Sequence, residues 1–257
     1  MKTNLLKLTC GLALLGAALL PTTVSGQIYV LNQGNGSTVG EYTTAGATVN
    51  ASLVSSGLSA PYGIAVSGGD IFVANAGNNT IGEYTTAGAT VNATLISGLN
   101  GPTGVAVSGG DIFVANYGGT IGEYTTDGAL VNASLVSGPY GLIGIAVSGG
   151  DIFVANNVTG TIGEYTTAGA TVNASLVSGL SSPWGLAVSG GDIFVANYGN
   201  NTIGEYDATT GATINAALVS GLSGPVGLDV EATPEPSTLA LAGLGGLGML
   251  WQFRRRK

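Results

Sequence analysis

The chain has 257 residues, only 8% of them charged, with 45 glycines, no histidine and a formal net charge of −8. All six basic residues sit at its ends (Lys2 and Lys7, then Arg254, Arg255, Arg256 and Lys257), while all 14 acids fall between Glu41 and Glu235. An acidic body with no side-chain cation excludes nucleic acid as a partner, because that affinity rests on Lys and Arg neutralising phosphates.

Residues 1–26 predict a signal helix: basic Lys2 and Lys7, an apolar run through Leu20, then Pro21 and the small-residue positions Val24 and Gly26 of a cleavage site. Gln27 is then the first mature residue, and an uncleaved anchor is the alternative. Cys10, the only cysteine, lies ahead of most of the apolar run and three residues after Lys7, which suits an inert leader residue better than a lipid-attachment site.

From residue 27 one unit of about 41 residues is written five times, split so that the last copy is completed by the start of the chain. Its Glu recurs at Glu41, Glu83, Glu123, Glu164 and Glu205. A fixed period of this length holding only strand and turn signals predicts one propeller blade per repeat. Each repeat reads as four strands, a to d. The a–b hairpin GIAVSGGDIFVAN turns on Gly68-Gly69, a pair that suits a type I′ turn with positive φ at both positions. The b–c connection is Asn-rich, and a three-residue turn around Gly88 joins c to d. Residues 27–232 therefore predict an all-β, five-bladed propeller. Its last a strand, around Leu228, is expected to pair beside Ile28 to Val30 and close the ring, removing exposed sheet edges.

The segments Pro61-Tyr62-Gly63, Ala65-Val66-Ser67-Gly68 and Phe72-Val73-Ala74-Asn75 resemble NHL-type repeats. That resemblance implies a propeller used by binding proteins and enzymes alike. The absence of basic residues departs from many relatives and counts against the RNA binding some of them perform.

Residues common to every blade read as wiring. The five glutamates and the hairpin aspartates Asp70, Asp111, Asp151 and Asp192 stand singly, without the clustered oxygen ligands calcium takes, so they are expected to accept hydrogen bonds from turn amides or hydroxyls. The same holds for Asn32, Asn75, Asn116, Asn156 and Asn197 at the ends of the b strands. No metal or cofactor is implied. The residues that vary sit in the d–a and b–c connections, which share one face. There Tyr62, Tyr117, Trp184 and Tyr198 form a candidate ligand mouth, because aromatic faces beside amides suit saccharides; blade-junction filling is the alternative. Tyr140 lies in the irregular third mouth loop, Pro139-Tyr140-Gly141-Leu142-Ile143.

At the C-terminus, Thr233-Pro234-Glu235-Pro236-Ser237 leads into an apolar run, Thr238 to Phe253, and a basic end, Arg254, Arg255, Arg256 and Lys257. The run is short for a spanning helix but can cross a thinned bilayer, with the basic end held in the cytoplasm. This order closely resembles the PEP-CTERM sorting signal of Gram-negative bacteria over residues 233–257. The resemblance implies export, a transmembrane helix, processing by an exosortase, and an association with exopolysaccharide. A plain C-terminal anchor is the alternative.

Three functions remain open: an exported cell-surface or matrix-associated binding and scaffold protein, possible ligands including a glycan or another surface protein; a lactonase-like or lyase propeller enzyme; and a purely structural surface protein. The first is preferred, with no enzymatic activity, since the mature body has no His, Cys, Lys or Arg before the tail. Among carboxylates unique to one blade, Asp127 and Asp207 fall in c–d turns, away from the mouth, and Asp229 falls in an inner strand. The eight N-x-S/T triplets (at Asn35, Asn50, Asn78, Asn92, Asn132, Asn157, Asn173 and Asn200) decide nothing, because the repeat copies them and bacteria rarely use the rule.

Overall fold

The computed structural model describes residues 27–33, 36–44 and 46–228, which are strand and turn throughout. The signal helix expected at 1–26 and the sorting segment at 233–257 lie outside the described residues, within which no helix is long and apolar enough to cross a membrane.

Five antiparallel sheets make a five-bladed propeller. The first has three strands, β1 (Gln27–Asn32), β2 (Thr38–Thr43) and β3 (Thr48–Val54). The second comprises β4 (Pro61–Ser67), β5 (Asp70–Asn75), β6 (Thr80–Thr85) and β7 (Thr90–Ile96). In the third are β8 (Pro102–Ser108), β9 (Asp111–Asn116), β10 (Thr120–Thr125) and β11 (Leu130–Ser137). The fourth holds β12 (Leu142–Ser148), β13 (Asp151–Asn156), β14 (Thr161–Thr166) and β15 (Thr171–Val177); the fifth, β16 (Pro183–Ser189), β17 (Asp192–Asn197), β18 (Thr202–Asp207) and β19 (Thr213–Val219).

Local chemistry sets these elements. The Gly-Gly hairpins have positive φ at both residues (63° and 96° at Gly68 and Gly69), as the type I′ turn requires. The c–d turn is closed by Thr85 N donating to Ala89 O at 2.9–2.8 Å in its copies, with Gly88 at φ 86°. Between sheets, the apolar face of one blade meets the next: Phe72, Ala74 and Ile81 pack with Val105, Ile112, Val114 and Tyr124. Similar clusters join the first sheet to the second, the third to the fourth and the fourth to the fifth.

Along the axis the inner strands touch through backbone. A Cβ on Gly63 would lie 2.7 Å from Thr103 O, one on Gly104 2.3 Å from Ile143 O, and one on Gly144 2.3 Å from Trp184 O. Glycine in the Pro-x-Gly motif is what lets neighbouring blades approach this closely.

The expected closure is not present in the described residues. β1 pairs only with β2, and Ile28 and Val30 are exposed. Residues 225–228 carry no strand, although they take the next place in the inner row, with Val226 O 2.7 Å from a Cβ on Gly185. The row stops there, because a Cβ on Gly227 would meet nothing within 4 Å. Asp229 and Val230, which complete the inner-strand pattern, lie outside the described residues.

Candidate functional site

The mouth is built from the d–a and b–c connections. Its floor is tied between blades: Gly101 N donates to Asn79 Oδ1 at 2.9 Å and Gly224 N to Asn201 Oδ1 at 2.7 Å. Both asparagines hold the left-handed backbone (φ 59° and 60°), which their short amides tolerate. Three of the five strand-end asparagines accept backbone amides as expected, while Asn32 and Asn197 donate. Asn75 Oδ1 accepts Ser59 N at 3.0 Å and Asn116 Oδ1 accepts Asn100 N at 3.3 Å. In the irregular loop Asn156 also donates, its Nδ2 to the carbonyls of Pro139 and Tyr140 at 3.2 Å.

On that floor the aromatics form two groups. Trp184 stacks on Tyr62 across the axis (centroids 6.2 Å apart, planes at 25°) and lies 5.4 Å from Tyr198 at 32°. Tyr117 is apart from these and meets Tyr140 edge-on at 4.4 Å. Tyr62, Tyr140 and Tyr198 are exposed, while Trp184 and Tyr117 are half-buried. The remaining positions of the ring are used otherwise. Thr103 is buried with its hydroxyl donating to Leu142 O at 2.9 Å, and Ile143 is buried. Two amide oxygens in this region, Asn157 Oδ1 and Asn197 Oδ1, are buried without a hydrogen-bond partner.

The opposite face holds the carboxylates, and here expectation and structure part. Glu41 accepts from Gln27 Nε2, but Glu83, Glu123, Glu164 and Glu205 and the hairpin aspartates accept no side-chain hydrogen bond. Burial first, and then the neighbouring Asp70, Asp111 and Asp151 respectively, push Glu83, Glu123 and Glu164 above the ordinary carboxylate range. Glu83, Glu123, Glu164 and Glu205 lie between a phenylalanine on the b strand (Phe72 for Glu83) and an asparagine on the d strand (Asn92 for Glu83) whose amide bonds its own backbone instead. Asp127 and Asp207 do serve their turns. Asp127 accepts the Thr125 hydroxyl, and Asp207 accepts the Thr210 hydroxyl at 2.8 Å; these bonds hold both carboxyls below their usual range. A groove of about 570 Å³ lies on this side, lined by Asp70, Phe72, Glu83 and Asp127. Among the described residues no group of three or more His, Cys, Asp or Glu is placed to hold a metal. Asp229 lies outside them.

Residues 232–256 match the PEP-CTERM protein-sorting motif and residues 180–206 match the NHL repeat. The chain therefore carries an exosortase sorting signal, which marks it as an exported protein. No curated protein matches the sequence. Among solved structures the fold is similar to a chain of a nidogen–laminin complex (TM-score 0.68, 16% identity, 80% of this chain and 82% of that one). It is also similar to a catalytically inactive histidine-to-alanine variant of virginiamycin B lyase from Staphylococcus aureus, with quinupristin (TM-score 0.62, 20% identity, 80% and 71% covered). A streptogramin B lyase is a third (TM-score 0.63, 20% identity, 82% and 70% covered). At these identities the likeness is one of fold.

Proposed function

We propose that this is an exported, non-enzymatic binding and scaffold protein of the cell surface or extracellular matrix, whose propeller mouth takes a neutral polysaccharide. The observation that carries the reading is the trio Tyr62, Trp184 and Tyr198, gathered on one face. Saccharides offer apolar ring faces for stacking and hydroxyls as donors. Charge agrees: none of the residues in the d–a and b–c connections is Asp, Glu, Lys or Arg, so the mouth suits an uncharged ligand. Tyr117 with Tyr140 offers a second, separate platform.

The rest of the chain serves placement. Residues 1–26 direct export as a signal peptide, and the apolar segment after Pro236 holds the protein in the membrane of a Gram-negative cell until an exosortase acts on the Pro234-Glu235-Pro236 signal. In the same reading residues 225–230 complete the three-stranded first sheet and close the ring. The lyase whose name marks a histidine replacement as inactivating provides the enzymatic comparison; this chain has no histidine anywhere, which supports binding over that chemistry.

A glycan array probed with the exported protein tests the reading. Neutral polysaccharide should bind, and Trp184→Ala should weaken binding several-fold, since one aromatic contact is worth about 0.5–1.5 kcal/mol beyond its area. The variant should keep the β circular-dichroism spectrum. Absence of glycan binding, or a folded Trp184→Ala protein that binds normally, overturns the assignment.

A further inference from the structure

The outermost strand of each blade carries a feature that neither the mouth nor the sorting signal uses. β3, β7, β11, β15 and β19 are edge strands, paired on one side only. Each opens with the same irregularity. Asn92 lies opposite Glu83 and Ile96 opposite Ile81, so four steps on the outer strand meet two on its partner. The bulge leaves amides the partner cannot reach, and the asparagine supplies an acceptor. Asn50 Oδ1 takes Ser52 N at 3.0 Å, Asn92 takes Thr94 N at 3.1 Å, Asn132 takes Ser134 N at 3.0 Å and Asn173 takes Ser175 N at 3.0 Å. These bonds fix each amide with its oxygen turned to the backbone. The Nδ2 group and the hydroxyl two residues on make no hydrogen bond, and all eight residues are exposed.

We propose that Asn50, Asn92, Asn132 and Asn173 are acceptors for N-linked glycosylation, giving a sugar on the rim of four blades. The reacting atom needs to be an exposed Nδ2 two residues before a free hydroxyl, the element by which an N-x-S/T acceptor is recognised. In the reaction Nδ2 attacks C1 of an oligosaccharide carried on a polyprenyl diphosphate. The N–C1 bond forms, the C1–O bond breaks, polyprenyl diphosphate leaves and the amide loses one proton.

The fold supplies its own comparison. β19 keeps the bulge and the same bond, Asn215 Oδ1 accepting Ala217 N at 3.1 Å, but has alanine where the hydroxyl belongs. The asparagine is thus wanted by the bulge in all five blades, whereas the hydroxyl, exposed and unbonded in four, has no part in that structure. Mouth triplets differ: Thr80 and Thr202 spend their hydroxyls on Asn78 Oδ1 and Asn200 Oδ1 at 2.8 Å, and Asn157 has its oxygen buried.

The test incubates the purified, folded full-length chain with a bacterial oligosaccharyltransferase that accepts N-x-S/T and a polyprenyl-diphosphate-linked oligosaccharide, read by intact mass and peptide mapping. Additions are expected at Asn50, Asn92, Asn132 and Asn173, with Asn215 bare. Ala217→Ser should create a fifth site at Asn215, and Ser175→Ala should remove the addition at Asn173 without changing the melting temperature. No addition to the folded chain, equal addition at Asn78 and Asn200, or an Ala217→Ser chain that is folded yet still bare at Asn215 overturns the proposal.

Discussion

Single glycines do more of the architectural work here than any charged residue. In the second blade's G-E-Y segment the glutamate is the conspicuous letter, yet Glu83 is only half-buried while Tyr84 is fully enclosed and donates its hydroxyl to Gly57 O at 3.0 Å. The glycine two residues before it makes room for that ring, since a Cβ on Gly82 would lie 2.8 Å from Tyr84 Oη. The Pro-x-Gly glycine is stricter, because what it meets is backbone. Gly104→Ala would press a methyl group to 2.3 Å from Ile143 O, and the inner strands cannot yield without parting two blades. Overpacking of this kind costs about 1–3 kcal/mol. Thermal or urea unfolding of Gly104→Ala should show a loss of that order, and a melting temperature equal to the parent's would mean that the inner strands are looser than described.

At the level of strands and turns, most of the fold is legible in the letters, and the failures have a shared cause. Hairpins announce themselves through Gly-Gly pairs, and strands through alternation, because both are properties of a few adjacent residues. The bulge in every outer strand is not legible in the letters, since its signal is an asparagine inside an otherwise regular strand pattern and its reason is the register with a partner. The carboxylates differ from expectation for a related reason: a sequence shows the acceptor but not whether a donor reaches it. Leaving those carboxylates without donors has a measurable consequence. Glu83, Glu123 and Glu164 titrate higher in the folded protein than in the unfolded chain, through burial and then the adjacent aspartate. Their contribution to stability is full below the ordinary glutamate range and is lost as the pH rises through the raised folded values. The melting temperature should therefore rise on going from neutral pH to mildly acidic pH, until the exposed Asp127 and Asp207, shifted the other way, begin to protonate. Glu164→Gln, at a site that is buried, should raise the neutral-pH melting temperature and flatten the profile. A profile that falls steadily from neutral pH toward acid in the parent would contradict this.

For the molecule as a whole, the seam between the last and first sheets decides how the propeller is held together. Four of the outer strands turn their final apolar residue into an inter-blade core: Val54, Ile96, Val136 and Val177 are all buried. The fifth has no such partner among the described residues, leaving Leu218 and Val219 exposed at 43% and 42%, while Ile28 and Val30 are exposed on β1. Apolar surface of this kind on both ends of one arc is a driving force for bringing them together. The letters of residues 225–230, Pro-Val-Gly-Leu-Asp-Val, repeat the inner-strand pattern of Pro61 to Val66, so the fourth strand of the first sheet is encoded even though its pairing is not part of the described residues. Gly227 separates the two possibilities. With the seam unpaired, Gly227→Ala adds a methyl group to open space and should leave the melting temperature unchanged within error. With residues 225–230 seated between β16 and β4 and paired to β1, Gly227 takes the place that Gly104 takes in its own blade, and the same substitution should cost a comparable part of about 1–3 kcal/mol. Closure predicts the second result, together with slow amide exchange at Tyr29 and Leu31, whose N–H groups point away from β2 and would then be hydrogen-bonded. A neutral Gly227→Ala with fast exchange along β1 would show that the five sheets hold together through four cores alone.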